Sequence, residues 1–316
     1  MQLLFIADAL ESFNIKKDST FVMMREAQRR GHVVFACEPR HMQWQSGGRV
    51  MAFVRHIRLI DGGATWFETI QQQSWALAEF DAVLMRKDPP FDSEFFYATH
   101  LLSQAEREGA QVFNKPVSLR EHPEKLAVME FPGLLGATLI TRDPQAIRAF
   151  HAEHRDIILK PLDGMGGMGI FRVGPDGMNL GSIIETLNAQ GSTSVMVQKF
   201  LPAIAEGDKR VLIIGGKPVP YCLARIPQGG EVRGNLAAGG KGVAQPLSPS
   251  DWGIAQTLGP VLMQRGLLLV GVDVIGDRVT EINVTSPTCF QEIHQQTGCD
   301  VASIFVDALE SAVTGI

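Results

Sequence analysis

The run Gly164-Met165-Gly166-Gly167-Met168-Gly169 has the spacing G-x-G-x-x-G, and its flanks restrict the fold more than the run itself. A dinucleotide-binding turn must open a helix, whereas Ile170-Phe171-Arg172-Val173 predicts a second strand, to pair with the strand predicted before it at residues 157–162. A glycine loop that closes a β-hairpin is a flexible cover whose amides can wrap phosphates. Lys160, on the incoming strand, adds a cation. A second cluster, residues 229–242, holds six glycines against four in residues 164–169, and has the composition of a lid that orders over bound substrate. Together they hold ten of the chain's 32 glycines, so the excess is local. Neither is a Walker A loop, because Gly239-Gly240-Lys241 is followed by Gly242 where Ser or Thr is required.

Strand and helix signals alternate over residues 1 to about 120 and predict a small, open, parallel α/β unit. Its strands fall at residues 3–7, 82–85 and 111–113, with helices ended by Gly31 and Gly109. In such sheets ligands sit beyond the carboxyl ends of the strands, where Asp8, Arg86 and Asn114 lie. Beyond residue 123 the texture changes. Helices are expected at 124–130, 144–154 and 181–190, and strands at 157–162, 170–173 and 195–199. Two hairpins follow, 209–225 turning at Gly215-Gly216 and 267–285 turning near Gly276-Asp277. The expected domains are therefore an N-terminal α/β domain (1–122), a central α+β domain with the first glycine loop (123–200) and a C-terminal α+β domain with the second (201–316). Residues 41–78 and those beyond 290 carry no motif.

Glu281 and Asn283 are two apart, so on a strand they share one face while Ile282 and Val284 point to the core. Asp273 likewise faces away from Val272 and Val274. A hairpin loop of effectively three residues sets Asp273 opposite Glu281; a strict two-residue loop sets them on opposite faces. Three hard oxygen donors suit Mg²⁺ shared with phosphate. Arg210 and Arg225 bracket the first hairpin and Arg233 lies in the second glycine cluster; Arg forks bind carboxylate or phosphate and stabilise oxyanions. Val197-Gln198-Lys199-Phe200-Leu201-Pro202 leaves a strand as an extended connector able to meet an adenine ring, with Asp208 near for a ribose hydroxyl.

Exclusions narrow the chemistry further. There is no G-x-S-x-G elbow and no H-E-x-x-H, and His151 and His154 on a charged helix surface are expected to be solvated. A net charge of −5 with no basic block argues against nucleic acid. The apolar start stops at Asp8, too short for a signal peptide, and no run reaches the roughly 18 apolar residues of a membrane span. Four separated cysteines are expected to be free buried thiols in a reduced, cytoplasmic compartment.

The chain resembles the ATP-grasp superfamily and, within it, is similar to the bacterial glutathione synthetases. The resemblance is carried by Asn14 to Ser19, Met85 to Asp92, Asn114-Lys115-Pro116, Glu124-Lys125-Leu126, Ile158 to Gly167 and Gly207 to Val211, then Pro218 to Pro227, Arg233 to Gly240 and Glu281 to Thr288. It implies two α+β subdomains gripping ATP behind a Rossmann-like parallel α/β domain. It implies ligation of γ-glutamylcysteine to glycine through an acyl phosphate, with another ATP-grasp carboxylate-amine ligase as the alternative. Lys125 and Lys160 would hold the phosphates under Gly164, Met165, Gly166 and Gly167. Gln198, Lys199, Phe200, Leu201 and Asp208 would receive adenosine, and Asp273, Glu281 and Asn283 two Mg²⁺, with Mn²⁺ a substitute. Arg210, Arg225 and Gly240 would stabilise the reacting groups, Arg86, Arg233, Ser286 and Pro287 would bind substrate, and residues 226–241 would close as a lid. A homotetramer is also implied.

Overall fold

The computed structural model describes residues 1–60 and 65–315. The first sheet joins β1 (Gln2–Ile6), β2 (Val33–Cys37), β3 (Met42–Gln43), β4 (Met51–Leu59), β5 (Phe67–Ala76), β6 (Ala82–Met85) and β7 (Val112–Phe113). Its order is β3-β4-β2-β1-β6-β7, with β5 paired to β4. The three expected strands are β1, β6 and β7 of a parallel run β2-β1-β6-β7, in which β2 was not expected, and residues 42–59 and 67–76 add antiparallel strands that no motif announced.

Successive side chains of β1 enter different cores, as strand geometry requires. Leu4 and Ile6 pack with α2 (Ser93–Arg107), while Leu3 and Phe5 pack with α1 (Ser19–Arg29). Asp18 and Asp92 cap these helices, accepting the amides of Phe21 and Phe95. The short helix α3 (Pro116–Glu121) follows.

The second sheet is antiparallel, in the order β10-β9-β11-β8, from β8 (Thr138–Thr141), β9 (Ile157–Pro161), β10 (Phe171–Val173) and β11 (Val195–Lys199). Helices α4 (Pro144–His154) and α5 (Leu180–Asn188) cover one face. They form a third core of Ile147, Ile157, Leu159, Val173, Ile183, Ile184, Val195 and Val197 among others. His151 is buried there and its Nε2 meets Gly174 O at 2.8 Å, so it is a core group, not the solvated one expected.

The third sheet has the order β14-β13-β12-β15-β16, from β12 (Asp208–Ile214), β13 (Lys217–Ile226), β14 (Lys241–Pro246), β15 (Leu269–Ile275) and β16 (Arg278–Asn283). Both expected hairpins form, turning at Gly215-Gly216 and Gly276-Asp277. Val211 and Ile213 extend the first core beneath α6 (Pro249–Gln264), and Leu212 and Ile214 extend the second beneath α7 (Phe290–Thr297) and α8 (Val301–Thr314). The first and third sheets thus share two cores. Arg30 of the α1 C-terminus reinforces the join, reaching Asp307 at 2.6 Å and Glu310 at 3.0 Å on α8.

Cys37, Cys222 and Cys289 are buried and Cys299 is partly so, all four free. No helix among the described residues is long and apolar enough to cross a membrane.

Candidate active site

A cavity of about 320 Å³ lies between the second and third sheets, under both glycine loops. Strand alternation builds its walls. Ile157 and Leu159 of β9 enter the third core, so Ile158 and Lys160 face the cavity. On β12, Lys209 turns away to pair with the fully buried Asp251 of α6 at 2.5 Å, and Asp208 and Arg210 face inward.

The β15–β16 hairpin resolves the open question of register. Its loop has two residues, Gly276 and Asp277, and Ile275 pairs with Arg278 and Val274 with Val279. A bulge at Thr280 then inserts one residue, so that Asp273 pairs with Glu281. A short turn and a bulge together give the facing that a three-residue loop would have given. The bulge also frees the carbonyl of Thr280, which accepts Lys160 Nζ at 3.2 Å.

At one end of the cavity, the ammonium groups of Lys125 and Lys160 stand beside the carboxylate of Glu281, with that of Glu124 next to it. Lys125 Nζ reaches Gly164 O at 2.5 Å and Glu281 Oε1 at 3.3 Å. Lys125 and Lys160 are each only 6% exposed, and burial depresses the Lys160 pKa. Two buried ammonium groups that face a closed cavity suit an anionic ligand.

Beside it runs an alternating row of charges. Arg225 Nη2 lies 2.5 Å from Asp208 Oδ2 and 2.9 Å from Asp273 Oδ2, and Arg210 Nε lies 2.6 Å from Asp273 Oδ1. Burial opposes the ionisation of Asp273, but Arg210 and Arg225 hold its carboxyl well below the usual range. Asp208 has less compensation, and burial pushes it up to about 6. Its Oδ1 is buried without a hydrogen-bond partner among the described residues. The Asn283 amide nitrogen donates to Gly271 O at 3.1 Å, which leaves Oδ1 as an acceptor. Asp273, Glu281 and Asn283 therefore fit a hard divalent cation. Among the described residues no group of three or more His, Cys, Asp or Glu could hold a metal alone, so such an ion needs oxygens from a ligand as well.

At the other end the β11 exit supplies Gln198 to Leu201. The amides of Lys199 and Phe200 are bound to Ala137 O and Asp156 O, both at 2.9 Å, so Leu201 carries the amide left for a ligand among the described residues. The Arg172 guanidinium lies 3.6 Å from the centre of the Phe200 ring and stiffens this connector. Overhead the loops touch: Arg233 Nη1 approaches Gly167 O at 3.4 Å, and a Cβ on Gly167 would stand 2.7 Å from Asn235 Oδ1.

The residues expected at the phosphates and adenosine all line the cavity, as do Asp273, Glu281, Asn283, Arg210, Arg225, Arg233 and Ser286. Arg86, Pro287 and Gly240 do not. Arg86 is buried at the end of β6, where its Nε donates to Thr20 Oγ1 at 3.1 Å and its Nη2 to Pro287 O at 3.0 Å, so it props the Ser286–Thr288 wall from behind. Burial pushes it down to about 10. The Gly240 amide donates to Asn235 O, and a Cβ there would strike Gly234 O, which places this glycine in the base of the lid.

The family described as "Prokaryotic glutathione synthetase, N-terminal domain" matches residues 1–120, and "Prokaryotic glutathione synthetase, ATP-grasp domain" matches residues 124–298. The chain belongs to the prokaryotic glutathione synthetase family.

Relatives named glutathione synthetase share the whole length. The one from Ralstonia nicotianae is 58% identical over 312 residues, 99% of this chain and 96% of that one. The one from Escherichia coli K12 is 51% identical over 306 residues, 97% and 96% of the two chains. Among solved structures, the D-cycloserine synthetase DcsG superposes with a TM-score of 0.66 at 15% identity, covering 98% of this chain and 99% of its own. The ATP-grasp ligase PsnB, complexed with a minimal precursor, gives 0.65 at 21%, covering 98% of each. These two establish the ATP-grasp fold. Within this glutathione synthetase cleft, sequence reasoning missed Glu124, Thr280 and Asn235. Glu124 stood beside a quoted lysine, Asn235 lay inside the glycine cluster, and nothing in the sequence marks the Thr280 bulge.

Proposed function

We propose that this cleft joins γ-glutamylcysteine to glycine with ATP, giving glutathione, ADP and phosphate. The observation that carries the reading is the full-length identity of 51–58% to relatives named glutathione synthetase. The geometry supports the chemistry. Lys125 and Lys160 take the phosphates, and the loop at residues 164–169 covers them. The connector Gln198 to Leu201 takes the base, with Asp208 beside it.

The cysteinyl carboxylate attacks the γ-phosphorus, breaking its bond to the β-phosphate oxygen and forming an acyl phosphate and ADP. The glycine amine then attacks the acyl carbon and phosphate leaves. Arg210 and Arg225, held in place by Asp208 and Asp273, face the reacting carboxylate and stabilise its charge. The lids exclude water, which would otherwise hydrolyse the acyl phosphate. Asp273, Glu281 and Asn283 would hold Mg²⁺, which neutralises phosphate charge when bound. We extend the reading to a cytoplasmic homotetramer with two Mg²⁺ per site, divided functionally at residues 122/123 and 200/201; the family resemblance supports this.

The test is ADP release on adding γ-glutamylcysteine and glycine together, against D-alanine or glutamate as competing substrates. Stimulation by the first pair alone is expected, and its absence would remove the reading. In a Glu281→Gln variant, turnover at limiting Mg²⁺ should fall about 10²-fold or more with the circular-dichroism melt retained. Wild-type rates at limiting Mg²⁺ would take Glu281 out of the cation site.

A further inference from the structure

Glu124 holds no role in the scheme above, yet it lines the cavity next to Lys125. Its backbone carbonyl accepts the Ile282 amide at 3.0 Å. One side-chain oxygen, Oε1, accepts three more donors: the Val284 amide at 2.9 Å, the Thr285 amide at 3.1 Å and the Thr285 hydroxyl at 2.8 Å. Oε2 takes none among the described residues. Four donors from residues 282–285 thus converge on one residue.

The segment gripped in this way joins two parts of the site. Ile282 lies between Glu281 and Asn283, and Val284 and Thr285 lead straight into the cavity wall at Ser286 and Thr288. Lys125, joined to Glu124 by one peptide bond, contacts both Gly164 O and Glu281. The dipeptide 124–125 therefore touches the phosphate loop, the cation-facing strand and the opposite wall. An apolar side chain at 124 would avoid placing a carboxylate close to Glu281, but it could not accept three donors at once. Hydrogen bonds to a carboxylate are also about twice as strong as neutral ones.

We propose that Glu124 is a positioning residue: it fixes the register between the Glu281/Asn283 pair and the Ser286–Thr288 wall, so that an acyl phosphate formed at the first is held against the second. The proposal rests on the reaction assigned above. It invokes no proton transfer by Glu124.

The experiment compares wild type with Glu124→Ala, Glu124→Gln and Thr285→Val. Two quantities are read: steady-state kinetics with ATP, γ-glutamylcysteine and glycine, with active sites counted by Mn²⁺·ADP binding, and the Mn²⁺·ADP affinity itself from electron paramagnetic resonance. Glu124→Ala should lose about 10- to 100-fold in kcat per site, with KM for ATP and Mn²⁺·ADP affinity within about threefold of wild type. Glu124→Gln, whose Oε1 still accepts the donors, should recover to within about fivefold. Thr285→Val, which removes one donor, should lose roughly three- to tenfold and serves if the alanine variant does not fold.

A kcat per site that stays at the wild-type value in Glu124→Ala, or in Thr285→Val where that variant stands in, overturns the proposal and leaves a structural role only. Equal damage from Gln and Ala with weakened Mn²⁺ binding also overturns it, making Glu124 a direct cation ligand. Wild type assayed alongside separates the two levels: its failure to turn over removes the assigned reaction, whereas normal wild-type turnover with unaffected variants removes only Glu124.

Discussion

In an Arg225→Leu variant, ATP-dependent ligation should fall by about 10²- to 10³-fold and the folded state should lose about 3–5 kcal/mol. The two losses have one source. Arg225 is 4% exposed and is the cation shared by Asp208 and Asp273, so its removal strands buried carboxylate charge as well as deleting the group that faces the reacting carboxylate. The deficit depends on pH in a definite direction. Burial pushes the folded Asp208 carboxyl up to about 6 from its ordinary value of 3.8, because it outweighs the pull of Arg225. Its ionisation therefore opposes folding, an effect absent below 3.8 and complete above about 6. Without Arg225 the folded value moves higher still. Urea titrations should accordingly show the variant nearest to wild type at acid pH and furthest from it at neutral pH. A stability deficit independent of pH would mean that Arg225 does not compensate Asp208.

Lys160→Met should separate function from folding. Its ammonium is almost fully buried, and its hydrogen bond among the described residues is the one to the Thr280 carbonyl, so a neutral side chain of similar length removes a desolvated charge. Thermal stability should hold or rise. Use of ATP should fall about ten- to a hundredfold in kcat/KM, the equivalent of roughly 1.5–3 kcal/mol for a charge-assisted contact to phosphate. Unchanged ATP kinetics would take Lys160 off the phosphates. A large drop in melting temperature would contradict the view that this cation is held for a ligand at a cost to the fold.

What could be read from the sequence was what local chemistry dictates. Gly164 to Gly169 closes a hairpin because a β-rich segment follows it, and Glu281 and Asn283 share a face because strands alternate. What could not be read depends on contacts distant in sequence. The Thr280 bulge adds no unusual residue, yet it sets Asp273 against Glu281 and presents a carbonyl to Lys160. Arg86 stands at a strand end, where ligands usually gather, but the Ser286–Thr288 wall packs over it and takes its hydrogen bond through Pro287. Residues 42–43, 51–59 and 67–76 form strands of the first sheet with neither a motif nor the alternating helix that marks a parallel unit.

The division of the cores has a mechanical consequence. The first and last sheets are welded by two shared apolar clusters and by Arg30, whereas the second sheet carries most of its apolar mass on its own helices. It is tied to the rest by two chain crossings, before Thr138 and after Lys199, and by polar contacts of Lys125, Lys160 and Arg233 across the cleft. Swinging this lobe outward leaves its own core intact and uncovers chiefly Met196, Ile140 and Leu162, which pack on the first core. Admission of nucleotide and escape of product can thus proceed by rotation of a single jaw about two straps, against an anvil that never has to loosen.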